Sequence, residues 1–188
     1  MYGLVNRAVE DLVKQVKGDD GWRRVCAHAQ VGVEGFVAVR SYPDDVTHRL
    51  VGSVSREMSL PPEKVLESFG EYWILYTAEK GYGDLLRSAG TGVREVMGNL
   101  NEMHARIETA FPEMSLPYFF VEDIDAEVFD LVYESSRDGL APMVVGLVKG
   151  LAARFGQRVE VEHTESRSPG SPRDRFRVRL LPAVATQA

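Results

Sequence analysis

Cysteine is almost absent from this sequence of 188 residues, which contains Cys26 alone. A single cysteine excludes an internal disulfide bond and a metal cluster held by several cysteines. Cys26 lies in a helical pattern, where we interpret it as a small buried side chain rather than a reactive thiol. The near absence of cysteine favours a cytoplasmic location, because disulfides belong to oxidising compartments.

Long hydrophobic runs and dense basic runs are also missing. No apolar stretch approaches the ~20 residues that a membrane-spanning helix needs, and the first residues lack the basic start and apolar run of a signal peptide. The net charge is -6, whereas a surface that binds a nucleic-acid duplex needs clustered lysine and arginine. The sequence therefore predicts neither a membrane nor a nucleic-acid partner.

The first half of the sequence predicts a series of helices. Apolar residues recur with a period near 3.6 over residues 2–17, and Gly18 is expected to end that helix. Two aspartates follow Pro43, and Glu63 follows a pair of prolines, both of which are typical of helix starts. Helices are predicted at about 2–17, 20–29, 44–58, 61–80 and 92–110, with a short helical turn at 83–88.

The second half changes to strand patterns around one apolar helix. Strands are predicted at 116–121, 127–133, 158–163 and 175–180, and a helix at 139–155. Together the halves predict an α+β fold, in which an N-terminal helical half is followed by an antiparallel sheet with a crossing helix. One domain is expected over residues 1–182, with a disordered tail at 183–188.

His104 is the first candidate for chemistry. By three- and four-residue steps, one face of the predicted helix at 92–110 carries Val93, Met97, Leu100, His104, Ile107 and Phe111. His104 is then either a core histidine bonded to backbone or a neighbour, or a neutral imidazole that ligates a metal in an apolar pocket. A lone protein ligand suits haem, because the porphyrin supplies four nitrogens. The pattern leaves both interpretations open.

Tyr133, Ser135 and Arg137 form the second candidate, because they alternate at the end of a predicted strand. If the strand continues, all three side chains leave on one face. Two hydroxyls and a guanidinium fork suit a ligand with two neighbouring carboxylates; the alternative is an ordinary exposed strand end. Haem has an apolar plane, a metal and two propionates on one edge, so His104 and this trio would suit the same ligand.

Several short motifs point to one family. They are MYGLVN at 1–6, FGEYW at 69–73, the Gly-Tyr pair at 81–82, NLNEMH at 99–104, Pro117, Tyr-x-Ser-x-Arg at 133–137, and the Gly-Leu pairs at 139–140 and 146–147. With them the sequence resembles the haem–nitric oxide/oxygen binding (H-NOX) family, whose animal members form the gas-sensing domain of soluble guanylate cyclase. The resemblance extends from Met1 to about Leu180 and favours stand-alone bacterial members, including cyanobacterial ones.

The resemblance implies haem b, ferrous protoporphyrin IX, as the cofactor, held between the two halves of the fold. It implies that His104 ligates the iron and that Pro117 presses on the porphyrin, for which the fixed φ of proline is suited. It also implies that Tyr133, Ser135 and Arg137 bind the propionates. The apolar pocket implied by the resemblance consists of Tyr2, Val5, Val9, Leu100 and Leu147.

Two further positions bear on which gas is bound. Family members that hold dioxygen use a distal tyrosine hydroxyl, and the matching position here, three before Gly146, is Met143. Methionine has no hydrogen-bond donor, so nitric oxide and carbon monoxide are the expected ligands and dioxygen is expected to be excluded. Trp73 matches another distal position, where we expect its indole to fill the pocket, although its N–H is a donor.

The resemblance therefore predicts a sensor rather than an enzyme. Nitric oxide is expected to weaken the bond between iron and His104, relax the haem and the fold, and so signal to a separate protein such as a histidine kinase or a diguanylate cyclase. One alternative is a haem-dependent redox or peroxidase-type enzyme, although such chemistry usually needs a distal acid–base group that Met143 does not supply. Another is a haem-free interaction module in which His104 belongs to the core.

Overall fold

The computed structural model describes residues 1–112 and 114–182, and the side chains of that part except those of 77–82. The tail predicted at 183–188 lies outside the described residues, as do the side chains of the Gly-Tyr pair at 81–82. No helix in the described part is long and apolar enough to cross a membrane.

The described chain forms helices first and a sheet afterwards, which confirms the predicted α+β class. The helices are α1 (Gly3–Ala29), α2 (Asp44–Met58), α3 (Pro62–Tyr72), α4 (Glu79–Ala89), α5 (Val93–Ala110) and α6 (Ala141–Arg154), with a π-helical turn at Trp73–Ala78. The strands are β1 (Tyr118–Asp123), β2 (Val128–Glu134), β3 (Arg158–Glu165) and β4 (Arg173–Leu181).

One predicted helix boundary is confirmed and another is wrong. Gly18 has φ +68° and ψ -174° and interrupts helical geometry as predicted, so α1 consists of two helical segments that meet at a kink. Glycine tolerates this φ because it has no Cβ. The helix predicted to end near residue 80 and the separate turn after it are one continuous run from Pro62 to Ala89. Glycine lowers helix propensity there without blocking the backbone hydrogen bonds as proline would.

The four strands form one antiparallel sheet in the order β1-β2-β4-β3. Strand β2 is central and is buried along nearly its whole length. Its Asp130 is covered by arginines of β4, since Arg177 Nε donates to Asp130 Oδ1 at 2.5 Å and Arg175 lies within ion-pair distance. The inner face of the sheet packs under α5 and α6.

The apolar side chains form two separate cores. One lies between the sheet, α5 and α6, and the other lies among α1, α2 and α3. Trp73, in the π-helical turn, packs against both. The space between the two cores is therefore bounded by the helical half on one side and by the sheet half on the other.

Candidate functional site

A cavity of about 220 Å³ lies between the two cores. All but one of the predicted site residues line it: Tyr2, Val5, Trp73, Leu100, His104, Pro117, Tyr133, Ser135, Arg137, Met143 and Leu147. Val9 is the exception, because it lies one helical turn beyond Val5 on α1 and is 3% exposed inside the helical core. The expectation that Val9 contributes to the gas pocket is not supported by its position.

His104 reaches the cavity from α5. Its Nδ1 lies 2.9 Å from the carbonyl oxygen of Pro117; a carbonyl only accepts hydrogen bonds, so Nδ1 carries the proton and Nε2 has a free lone pair. Nε2 has no hydrogen-bond partner among the described residues. Burial lowers the pKa of His104 more than the bond to Pro117 and the charge of Glu108 raise it. The imidazole is therefore neutral near pH 7, which is the form that ligates metals.

The predicted apolar face of α5 is buried over its first two turns. Val93 and Met97 are fully buried and Leu100 is nearly so. Phe111 was expected on the same face but is 38% exposed. It follows the last helical residue and has φ -134°, so the helical spacing no longer sets its direction.

Tyr133, Ser135 and Arg137 meet at the cavity for a reason other than the predicted one. Strand β2 ends at Glu134, so the continuing strand that would send all three side chains to one face is not formed. The chain turns instead, and the Arg137 amide donates to Ser135 Oγ at 3.1 Å. We refer to these three side chains as the carboxylate clamp.

The carboxylate clamp retains donors for a ligand. Burial raises the pKa of Tyr133, despite its hydrogen bond with Ser135, so the phenol keeps its proton. Arg137 Nη1 donates to the carbonyl oxygen of Ser115 at 2.7 Å. Its Nε is buried without a hydrogen bond to any described residue, with Asp44 Oδ1 3.5 Å away. A buried guanidinium N–H without a hydrogen bond is costly, and an anionic ligand would satisfy it.

Asp44 connects this arginine to the amino terminus. The Met1 ammonium bonds Asp44 Oδ1, and it donates to the carbonyl oxygen of Tyr42 at 2.6 Å. Burial alone would raise the pKa of Asp44, but the ammonium and Arg137 outweigh it, so the pKa is lowered and the carboxylate is ionised. An ion-pair network thus joins the helical half to the carboxylate clamp.

A pair of hydrogen bonds from Asn101 fixes the segment that carries Pro117. The Asn101 side chain donates through Nδ2 to the Phe119 carbonyl at 2.7 Å and accepts from the Phe119 amide at 2.9 Å. With the His104–Pro117 bond, α5 is fastened to this segment at three points. The sequence motif included Asn101, but nothing in the motif indicated this role.

Met143 and Trp73 lie where α3 crosses α6 at close range. A Cβ on Gly70 would be 2.2 Å from the Met143 carbonyl oxygen, and one on Gly146 would be 1.9 Å from the Glu67 carbonyl oxygen. The two glycines therefore permit the backbones to touch. Trp73 packs edge-on against Phe69, with ring centroids 6.1 Å apart.

Sequence reasoning missed two features of the site. Five of the six methionines line the cavity: Met1, Met97, Met103, Met114 and Met143. Only Met97 and Met103 share an element, α5, so no local pattern indicated the convergence of all five. Arg167 was also missed: it lies in the β3–β4 turn and donates to the carbonyl oxygens of Ser135 and Arg137.

The donor set fits a haem. The cavity walls are mostly apolar, one neutral imidazole presents a free nitrogen, and the buried Nε of Arg137 lacks a hydrogen-bond partner among the described residues. Haem has an apolar plane, an iron that binds imidazole and two carboxylates. Metal-binding groups of three or more histidine, cysteine or acidic side chains are absent from the described part.

Solved structures with the same fold are H-NOX proteins. An H-NOX protein from S. oneidensis in the Fe(II)NO ligation state superimposes with a TM-score of 0.84 at 20% identity, over 97% of this chain and 100% of that one. The Fe(II) unliganded H-NOX protein from K. algicida gives a TM-score of 0.83 at 20% identity, over 100% of both chains. At this identity the likeness concerns the fold.

The curated relatives are soluble guanylate cyclases. The chain is 31% identical to Caenorhabditis elegans soluble guanylate cyclase gcy-35 over 160 residues, which is 82% of this chain and 23% of the relative. For gcy-32 of the same organism the identity is 30% over 158 residues, with the same coverage of 82% and 23%. The chain thus spans about a quarter of the length of these relatives.

The family model described as Haem-NO-binding matches residues 2–163. This match covers most of the chain and contains His104 and the whole carboxylate clamp. Together with the fold, it confirms the resemblance stated from the sequence motifs. The chain therefore belongs to the haem-NO-binding (H-NOX) family of haem-binding gas-sensor domains.

Proposed function

We propose that this protein binds nitric oxide and carbon monoxide on ferrous haem b, excludes dioxygen, and signals to a separate protein. The observation that carries the proposal is the geometry of His104. Its Nδ1–H is held by the Pro117 carbonyl at 2.9 Å, so Nε2 is left as a neutral ligand at the wall of an apolar cavity. Metal-binding histidines commonly donate their second ring nitrogen in this way, which fixes the ring and raises its basicity.

The carboxylate clamp would hold the propionates of the haem. Tyr133 and Ser135 would donate through their hydroxyls and Arg137 through its guanidinium, whose Nε has no hydrogen bond to the described residues. Hydrogen bonds between a guanidinium and a carboxylate are about twice as strong as neutral ones. The remaining predicted contacts, Tyr2, Val5, Leu100 and Pro117, would enclose the apolar plane.

The choice of gas follows from the lining near the α3–α6 crossing. Haem supplies an iron that binds diatomic gases, and dioxygen is the one that depends most on a hydrogen-bond donor beside it. Met143 has no donor, and Trp73 is engaged in edge-on packing against Phe69, with Leu147 close by on α6. This lining favours nitric oxide and carbon monoxide. An H-NOX protein of the same fold from S. oneidensis has been solved in an Fe(II)NO state.

Signalling would use α5 as the moving part. We propose that His104 would hold the iron and that nitric oxide would weaken this bond, so that α5 would lose a restraint toward the cavity. The segment around Pro117 would follow, because Asn101 and His104 both bond it. The two halves would then repack, which is a population shift between two states.

The proposed partner is a separate cytoplasmic protein, either a histidine kinase or a diguanylate cyclase. The matched region spans 23% of cyclase relatives such as gcy-35. No catalytic role is proposed for this chain, because Met143 and Trp73 do not supply the acid–base group that peroxidase chemistry needs.

The test is an absorption spectrum of the ferrous protein under argon, then with nitric oxide, carbon monoxide and air. We expect a five-coordinate ferrous spectrum, complexes with both nitric oxide and carbon monoxide, and no stable complex in air. His104→Gly should take up haem only when imidazole is added, whereas His48→Gly is the control. Failure of the wild-type protein to take up haem, or steady turnover of peroxide, would overturn the proposal.

A further inference from the structure

The 135–139 loop, which carries Ser135 and Arg137 of the carboxylate clamp, has few restraints of its own. It follows the last residue of β2, Glu134, and precedes the first residue of α6, Ala141, so no strand ladder or helix fixes it. Within the loop, the Arg137 amide bonds Ser135 Oγ at 3.1 Å. Clamp residues need a fixed position to bind two carboxylates, so the loop must be held from elsewhere.

Arg167, in the turn between β3 and β4, holds this loop. Its Nη1 donates to the Arg137 carbonyl at 2.7 Å and its Nη2 to the Ser135 carbonyl at 2.6 Å. The same Nη2 lies 3.3 Å from the Pro172 carbonyl, and Nη1 lies 3.0 Å from Asp138 Oδ1. One guanidinium therefore bonds the backbone of both loop residues of the carboxylate clamp.

Arg167 is itself anchored at its backbone. Its amide donates to Asp174 Oδ1 at 3.2 Å, and the Asp174 side chain is 4% exposed. His163 Nε2 lies 2.9 Å from the same oxygen and its ring stacks on Phe176, with centroids 4.6 Å apart. Strand β4 pairs Asp174 with Tyr133 of the carboxylate clamp, so this anchor is continuous with the sheet that positions Tyr133.

We infer that Arg167 is a positioning residue for haem binding, which sets the 135–139 loop so that Ser135 and Arg137 converge with Tyr133 on the propionates. This inference rests on the proposed haem-binding role of the carboxylate clamp. Arg167 does not touch the cavity; it acts through the two carbonyl groups. Lysine cannot replace it, because an ammonium group is a point charge that lacks the planar fork needed to bond both carbonyls in this geometry.

The first test measures the transfer of haem to apomyoglobin from wild-type protein, Arg167→Gln and Arg167→Lys. Loss of an outer partner of a bound cofactor typically weakens binding roughly 10- to 100-fold, and we expect faster haem loss of that order for both variants. Arg173→Gln is the matched control, because Arg173 also forms an ion pair, with Glu134 at 2.9 Å, but does not bond the loop. Its haem loss should match the wild type.

A double-mutant cycle with Arg137→Ala separates positioning from general destabilisation. If Arg167 acts through the loop, Arg167→Gln adds little to the haem loss already caused by Arg137→Ala, whereas an independent effect on fold stability would add in full. Additive effects, or an Arg167→Lys variant that behaves as wild type, would overturn the inference. If Arg167→Gln does not fold, the same double-mutant cycle with Arg167→Lys tests whether Arg167 acts through the loop.

A measurement on the apoprotein makes the two proposals distinguishable. Amide hydrogen exchange at Arg137 should be faster in Arg167→Gln than in Arg173→Gln, since the loop loses two restraints. Unchanged exchange would refute the role of Arg167 even if the protein binds haem. Faster exchange in a protein that takes up no haem would refute the haem-binding proposal while leaving the role of Arg167 in the loop intact.

Discussion

Asn101 offers a direct test of how α5 is fastened to the segment beside the cavity. Its side chain satisfies both the amide and the carbonyl of Phe119, at 2.9 and 2.7 Å. Phe119 is 2% exposed, so water cannot readily replace these bonds. Asn101→Ala therefore leaves two buried backbone groups without partners, each at a cost of about 1–3 kcal/mol.

The expected loss in the free energy of unfolding of the apoprotein is about 2–6 kcal/mol. With a urea m-value of about 2 kcal/mol/M, the midpoint of unfolding falls by about 1–3 M. Asn99→Ala is the matched control in the same helix, because Asn99 makes a single bond, from Nδ2 to the Ala89 carbonyl at 2.8 Å. It should cost about half as much.

Urea unfolding followed by circular dichroism measures both variants, and amide exchange in β1 locates the change. Asn101→Ala should accelerate exchange at Phe119, whereas Asn99→Ala should not. If Asn101→Ala costs no more than Asn99→Ala and β1 exchange is unchanged, the reasoning that this side chain fastens β1 to α5 is wrong.

Three other outcomes are expected. Gly146→Ala should destabilise the protein by about 1–3 kcal/mol in urea unfolding, because the new Cβ meets the Glu67 carbonyl. The control is Gly98→Ala, which has open space around the new Cβ and should stabilise the protein by ~0.5–1 kcal/mol. Burial lowers the pKa of His104 from its ordinary 6.5, so below pH 6.5 the unfolded apoprotein binds more protons than the folded one. The free energy of unfolding should therefore decrease as the pH is lowered, by at most ~1.4 kcal/mol per pH unit. His104→Gln should abolish this dependence on pH. Met143→Tyr should raise dioxygen affinity about 10- to 150-fold through a new donor, and equal affinity in Met143→Phe would contradict this.

The elements that sequence patterns predicted well are those with local signals at both ends. Helix α2 has the predicted bounds, because Pro43 and two aspartates mark its start and its apolar period is regular. Helix α5 begins at Val93, one residue after its predicted start at 92. The α+β class followed from the change from a 3.6-residue to a two-residue period, which reflects burial of one face in each element.

The features that the sequence did not predict depend on tertiary contacts or on uncommon backbone geometry. A π-helical turn has no recognised apolar period, so the continuity of α3 with α4 was missed. Arg167 lies 30 residues from Arg137, and only the pairing of β2 with β4 brings them together.

The role of the amino terminus has a practical consequence for anyone who labels or fuses this protein. The Met1 ammonium is a structural cation, bonded to Tyr42 and to Asp44, and Asp44 faces Arg137 of the carboxylate clamp. Acylation of this amine converts the cation to a neutral amide, and so does a tag joined to it by a peptide bond. Asp44 then loses its ion pair with the ammonium and, among the described residues, keeps only its ion pair with Arg137. A tag placed there would alter the charge balance around Arg137 of the carboxylate clamp.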